Sequence, residues 1–309
     1  MNIASPRRSE SDPRPPGGLH APHDEIASRA DHVDRSIGDI MRDTKSLSQE
    51  QIDAIIEYQR THGVRFGEAA VGLGYVSGED VVFALSQQFH YPYMPEERRH
   101  VHRELVTASR PFSVQAESFR AVRSQLMARV FNPKEPRRAL AIVSPDSGDG
   151  KTFFAANLGV VLAQLGGRTL VVDANLRKPR LHELFGVPNN SGLSGILSGR
   201  QEDNVIFQAA DIPSLYVMPV GVTPPNPLEL LERPAFRLLV AELLRKFDHV
   251  VVDTPAGGLG SDPSVIASKC GAALMLARKG RTRMDRLGEF VDAVGSMTSH
   301  MAGVVFNQY

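Results

Sequence analysis

Short apolar runs recur along the chain from residue 139 onward: Ala139–Val143, Thr169–Val172, Leu215–Met218, His249–Val252, Ala272–Leu276 and Gly303–Phe306. Continuous apolar stretches of this length, alternating with helical stretches, are what a parallel sheet covered on both faces requires. The first run leads through a Gly-rich turn into Phe153–Leu165, which reads as a helix. Upstream the pattern changes. Between Ile37 and Tyr93, apolar positions such as Ile52, Ile55, Ile56, Val81 and Leu85 fall at helical spacing. The expected fold class is α/β, a mostly parallel sheet flanked by helices, with a small N-terminal all-α repeat domain in front of it.

The helical part repeats itself. Ile37-Gly38-Asp39, Leu47-Ser48 and Ile52 return as Phe66-Gly67-Glu68, Val76-Ser77 and Val81 at an interval of about 29 residues, and Gln59 matches Gln88 at that offset. Each unit reads as helix, turn, capping Ser and second helix, so two helical hairpins packed on each other are expected over residues 35–95. Residues 1–30, rich in Ser, Pro, Arg and Gly, read as a disordered tail, residues 96–110 as a linker mixing Pro and charge, and residues 111–309 as the second domain.

Between β-run and helix lies Ser144-Pro145-Asp146-Ser147-Gly148-Asp149-Gly150-Lys151-Thr152. Gly148 and Gly150 let successive backbone N–H groups converge on an anion, and the helix N-terminus adds its positive dipole end. Lys151 reaches outer phosphates and the Thr152 hydroxyl holds Mg²⁺. This marks a P-loop NTPase, although Pro145 replaces the usual first glycine. Asp173 and Asp253 end two of the apolar runs, on the side of a parallel sheet where ligands lie. Two acids facing a triphosphate can divide the work, one holding Mg²⁺ and the other orienting or deprotonating an attacking oxygen. Each Asp could instead cap the helix that follows it.

Charge adds little and cysteine adds a compartment. Lys+Arg and Asp+Glu both number 35, so no global field points to nucleic acid, and any attraction to anions is local. Cys270 is the only cysteine, which excludes an intrachain disulfide, fits a reducing cytosol and reads as a small buried residue. No apolar run approaches the roughly 20 residues that cross a bilayer. The expected location is the cytoplasm, with any membrane work depending on a partner. Glu117, Arg120 and Arg123 share one helix face, which on spacing alone is an ordinary solvated charged face.

Two resemblances sharpen these readings. Arg65-Phe66-Gly67, Val71, Gly74, Val76, Val81, Leu85 and Gln88 resemble the repeated N-terminal module of type II secretion and pilus ATPases, some of which bind cyclic di-GMP. A dinucleotide ligand stands there beside protein docking and a purely structural role; Ser36 and Lys45 depart from the motif in the first repeat. The second resemblance is to the bacterial tyrosine kinases that control exopolysaccharide or capsule chain length. It is carried by Gly148–Thr152, by Val172-Asp173-Ala174-Asn175-Leu176-Arg177-Lys178-Pro179, by Gly221 through Leu231, and by Val251-Val252-Asp253-Thr254-Pro255.

That resemblance implies ATP and Mg²⁺ as cofactors, with Gly148, Asp149, Gly150, Lys151 and Thr152 around the phosphates. Lys151, Asp173 and Asp253 become catalytic; Thr152, Asp173 and Asp253 become metal contacts; Asn307 lies against the adenine. It also implies that Glu117, Arg120 and Arg123 join subunits into a homo-oligomer, and that a membrane-bound polysaccharide co-polymerase is the partner. Two departures stand out. Asn175 replaces the second aspartate of its motif and cannot act as a carboxylate base. A C-terminal tyrosine cluster is reduced to Tyr309, one candidate phosphoacceptor beside Tyr58, Tyr75, Tyr91, Tyr93 and Tyr216. The rival function is a nucleotide-switched regulatory ATPase that phosphorylates no tyrosine; a non-catalytic dinucleotide-sensing scaffold is the third.

Overall fold

The computed structural model describes residues 36–88, 101–200 and 202–308. The expected tail, residues 96–100 of the expected linker, Tyr91, Tyr93 and Tyr309 lie outside them.

The N-terminal helices are α1 (Ile37–Lys45), α2 (Gln49–His62), α3 (Phe66–Gly72) and α4 (Gly78–Gln88). Equivalent positions of the repeat do equivalent capping work. Ser36 accepts from the Asp39 N–H and Ser48 from the Gln51 N–H, while in the second unit Glu68 accepts from the Arg65 N–H and Ser77 from the Asp80 N–H. Ile40, Met41, Ile52, Ile55, Ala69, Ala70 and Ala84 form a core of their own. Gly67 is buried in it, and a Cβ there would stand 2.5 Å from Val81 Cγ1, so only glycine permits that helix contact.

In the second domain α5 (Val106–Ser109) and α6 (Val114–Arg129) precede β1 (Ala139–Val143), α7 (Lys151–Ala163), β2 (Thr169–Asp173), α8 (Leu181–Phe185) and α9 (Leu193–Leu197). There follow β3 (Phe207–Gln208), β4 (Leu215–Met218), α10 (Pro227–Glu232), α11 (Pro234–Lys246) and β5 (His249–Asp253). The domain closes with α12 (Asp262–Cys270), β6 (Gly271–Arg278), α13 (Met284–Gly295) and β7 (Met301–Asn307). The sheet order is β3-β4-β2-β5-β1-β6-β7, and every pairing is parallel except β3 with β4.

The apolar runs are continuous because both sheet faces are covered. Leu140 and Ile142 of β1 point into one core with α5, α6 and α7, while Ala139, Ala141 and Val143 point into the other with α11 and α12. Helix α7 is apolar nearly all round, being held between the sheet and α5–α6. Gly159 lets it approach β2 closely, since a Cβ would meet Val171 Cγ2 at 2.3 Å.

The domain starts earlier than residue 111. Leu105 and Val106, expected in the linker, are buried in the core with α7. Thr107 is buried too, with its N–H and hydroxyl both donating to Asn157 Oδ1 at 3.0 and 2.9 Å. The short antiparallel β3 carries no apolar run and was not expected. Cys270 is fully buried, and burial pushes its thiol far above the usual range, in line with a packing residue.

Candidate active site

Strand β1 delivers the chain to a loop that folds back over the start of α7. The turn needs Gly148 and Gly150, with φ of 85° and 96°, a region where side chains are strained. Gly150 has a second constraint, because Asn307 Nδ2 donates to Asp149 O at 3.0 Å and would lie 2.3 Å from a Cβ at 150. Asn307, at the end of β7, therefore meets the phosphate loop directly.

Lys151 is buried and curls back along the loop, its Nζ donating to Ser144 Oγ at 2.7 Å and to Asp146 O at 3.2 Å. Burial lowers its pKa from the usual lysine value, and the charges of Asp253, Asp149 and Asp146 oppose that shift. Asp149, expected at the ligand, turns its side chain the other way. It is fully buried, accepting from the Asp146 N–H at 3.1 Å and from the Thr282 hydroxyl at 3.1 Å. Its carboxylate shapes the loop, leaving the backbone to face an anion.

Parallel pairing of β2 with β5 places Asp173 opposite Asp253 in register, so the two acids stand side by side at the strand ends. The Thr152 hydroxyl donates to Asp253 Oδ2 at 2.6 Å, which joins the loop helix to the second acid. Asp253 Oδ1 is buried and finds no hydrogen-bond partner among the described residues. Asp173 is satisfied by backbone: Asn175 N–H at 3.1 Å, and Arg180 and Leu181 N–H at 3.0 Å each. The capping use weighed for these acids thus applies to Asp173, at the entry to α8, and not to Asp253.

Both carboxyls have raised pKa values. For Asp173 the cause is burial and then the charge of Asp253, against which the three amides pull; for Asp253 it is burial, opposed by the Thr152 bond and Lys151. A metal cation would relieve both. No cluster of three His, Cys, Asp or Glu gathers among the described residues. The donor set of one hydroxyl and strand-end acids, with an orphaned carboxylate oxygen, suits Mg²⁺, which keeps waters and takes one or two carboxylates plus phosphate oxygens.

Several residues of the site carried no sequence signal. Arg278 donates to Gly148 O at 3.1 Å, Arg286 pairs with Asp146 at 2.7 Å, and Thr282 holds Asp149, so the β6–α13 connection braces the phosphate loop. The one available hint was the basic cluster Arg278-Lys279-Gly280-Arg281 directly after a strand. Asn175 closes its own turn, accepting from Lys178 N–H at 3.1 Å and donating to Lys178 O at 2.9 Å. Of the charged helix face, Glu117 is exposed and pairs with Arg120 at 2.9 Å, while Arg123 donates to Val161 O of α7 at 2.7 Å. No helix among the described residues is long and apolar enough to cross a membrane.

Residues 140–309 match the CobQ/CobB/MinD/ParA nucleotide binding domain family. The chain is 31% identical over 193 residues to tyrosine-protein kinase CpsD of Streptococcus agalactiae, covering 62% of this chain and 82% of that one. It is 33% identical over 171 residues to tyrosine-protein kinase ptk of Acinetobacter johnsonii, covering 55% of this chain but 23% of that longer protein. Among solved structures it superposes on the kinase domain of Escherichia coli tyrosine kinase ETK with TM-score 0.63 and 30% identity, over 69% of this chain and 84% of the other.

Proposed function

Because the chain belongs to the CobQ/CobB/MinD/ParA nucleotide-binding family, and within it to the bacterial tyrosine-protein kinases, we propose that it is an ATP-dependent protein tyrosine autokinase regulating exopolysaccharide assembly. The observation that supports this most directly is the convergence of Lys151, Thr152, Asp253 and Asp173, which the sequence scatters from residue 151 to residue 253. In this reading the loop amides and Lys151 bind the β- and γ-phosphates. Thr152 and Asp253 hold Mg²⁺, which when bound offsets phosphate charge during transfer. Asp173, fixed by backbone amides, orients the acceptor hydroxyl and takes its proton in the ionised form that a bound cation would favour. Since Asn175 cannot serve as a second base, this role rests on Asp173 alone.

The acceptor is a tyrosine on a neighbouring copy, with Tyr309 the first candidate, and Glu117, Arg120 and Arg123 contribute to assembly of the copies. The protein works in the cytoplasm, recruited to the membrane by a polysaccharide co-polymerase. Arg65, exposed at the start of α3, makes cyclic di-GMP the candidate ligand of the helical module.

Incubation with γ-labelled ATP and Mg²⁺, beside Lys151→Met and Tyr309→Phe, tests the reading. Label on tyrosine that vanishes in Lys151→Met is expected. Phosphate released without labelled protein would replace the kinase by the regulatory ATPase. Label surviving in Tyr309→Phe would move the acceptor, with Tyr58, Tyr75, Tyr91, Tyr93 and Tyr216 next.

A further inference from the structure

The first acid is aimed by a turn, and the turn is held from outside. Asp173 receives the N–H groups of Asn175, Arg180 and Leu181, so its orientation depends on where residues 175–181 lie. The Arg180 side chain leaves that turn and forms an ion pair with Glu104, 76 positions earlier in the chain. It also pairs with Glu183 at 3.9 Å, and its charge lowers the pKa of Asp253.

Glu104 is itself anchored. Its carbonyl accepts from Asn157 Nδ2 at 2.8 Å, and Asn157 Oδ1 receives both donors of Thr107. Asn157 is fully buried on α7, the helix whose first turn carries Lys151 and Thr152. A path therefore runs from the phosphate-loop helix through Asn157 and Glu104 to Arg180, and from there to the turn that aims Asp173. Glu104 also lines a groove of about 440 Å³ with Arg103, Arg110 and Arg278, opening at Gly148 and Gly150.

We propose that Glu104 and Arg180 are positioning residues for phosphoryl transfer: their ion pair fixes the Asp173 turn relative to the phosphate-loop helix. The inference rests on the kinase reading above. Both side chains are partly exposed, 30% and 43%, so the pair contributes little to global stability and its effect is geometric. A misplacement near 1 Å at a reacting group is enough to slow chemistry many-fold.

The test uses the full chain with Glu104→Gln, Arg180→Gln and Arg180→Lys. Each Gln variant should lower kcat for tyrosine labelling about 3- to 10-fold with KM for ATP within about twofold. Hydrogen exchange at the Arg180 and Leu181 amides should quicken in both Gln variants, and Arg180→Lys, which keeps the charge, should recover at least half of kcat. A several-fold rise in KM for ATP in Arg180→Gln but not in Glu104→Gln would overturn the proposal, because Arg180 would then touch nucleotide itself. Variants that shift Tm but leave kcat and both amides unchanged would overturn it too. If the wild type labels no tyrosine, the kinase reading fails, and exchange at the two amides still decides whether the brace exists.

Discussion

Replacing Asp253 by Asn should make the nucleotide-free protein more stable while destroying its response to MgATP. Adjacent strands are about 4.8 Å apart, and Asp173 and Asp253 are register partners on β2 and β5, both fully buried. Two full charges at roughly 5 Å in an effective dielectric near 20 repel by about 3 kcal/mol. Attraction to Lys151 returns part of this, leaving a net gain of about 1–2 kcal/mol for Asp253→Asn, which keeps an oxygen for the Thr152 hydroxyl. For a domain of this size that is a rise in Tm of about 2–8 °C. With ligand the order reverses: MgATP at 100 times its Kd stabilises the wild type by about 2.7 kcal/mol, and the variant by far less. The pH dependence fixes the sign. Both carboxyls have folded-state pKa values raised above the unfolded value of 3.8, so the folded state favours their protonated forms. Their cost is absent below about pH 4, grows as pH rises through the raised values, and is complete above them. The stability difference between variant and wild type should therefore shrink on acidification. Thermal denaturation in chelator, with and without MgATP, from pH 4.5 to 8.5 measures all three effects. A variant less stable than wild type at pH 8 without nucleotide would refute the reasoning.

Gly150→Ala should weaken ATP binding at least about tenfold by calorimetry, since the new Cβ meets Asn307 Nδ2 at 2.3 Å and the position has φ 96°; unchanged affinity would show that Asn307 yields freely. Asn157→Ala strips the partners of Thr107 and Glu104 and should cost about 2–4 kcal/mol in urea denaturation, whereas a loss under about 0.5 kcal/mol would mean the 104–107 segment is not anchored there. Gly67→Ala should destabilise the helical module by about 1–3 kcal/mol, read as faster hydrogen exchange within residues 37–88, with tyrosine labelling by the second domain unchanged. Slower exchange there would contradict the close Gly67–Val81 packing.

The apolar runs of β1, β2, β4 and β5 were legible because burial on both faces leaves a purely local mark, and the phosphate loop because glycines, Lys151 and Thr152 must be contiguous to close on one anion. The helical repeat was legible for the same reason, together with Ser48 and Ser77 as caps of the second helix of each unit, but not the caps at Ser36 and Glu68. β3 was not, since its two residues, Phe207 and Gln208, become a strand only through antiparallel pairing with Val217 and Tyr216. Nor did any local pattern show that Asp149 would turn inward to Thr282, 133 positions away, or that Leu105 and Val106 would join the core instead of a linker.

The sequence by itself determined which residues had chemistry to offer and on which strands and turns they ride, because those demands act over a few neighbouring positions. Only the tertiary structure decided that Asp173 spends its oxygens on backbone N–H groups of residues 175–181 while Asp253, among the described residues, keeps one unpartnered beside Thr152, and that Glu104 reaches Arg180. Those outcomes depend on the order in which strands pair and helices cover them, which brings together groups that nothing local connects.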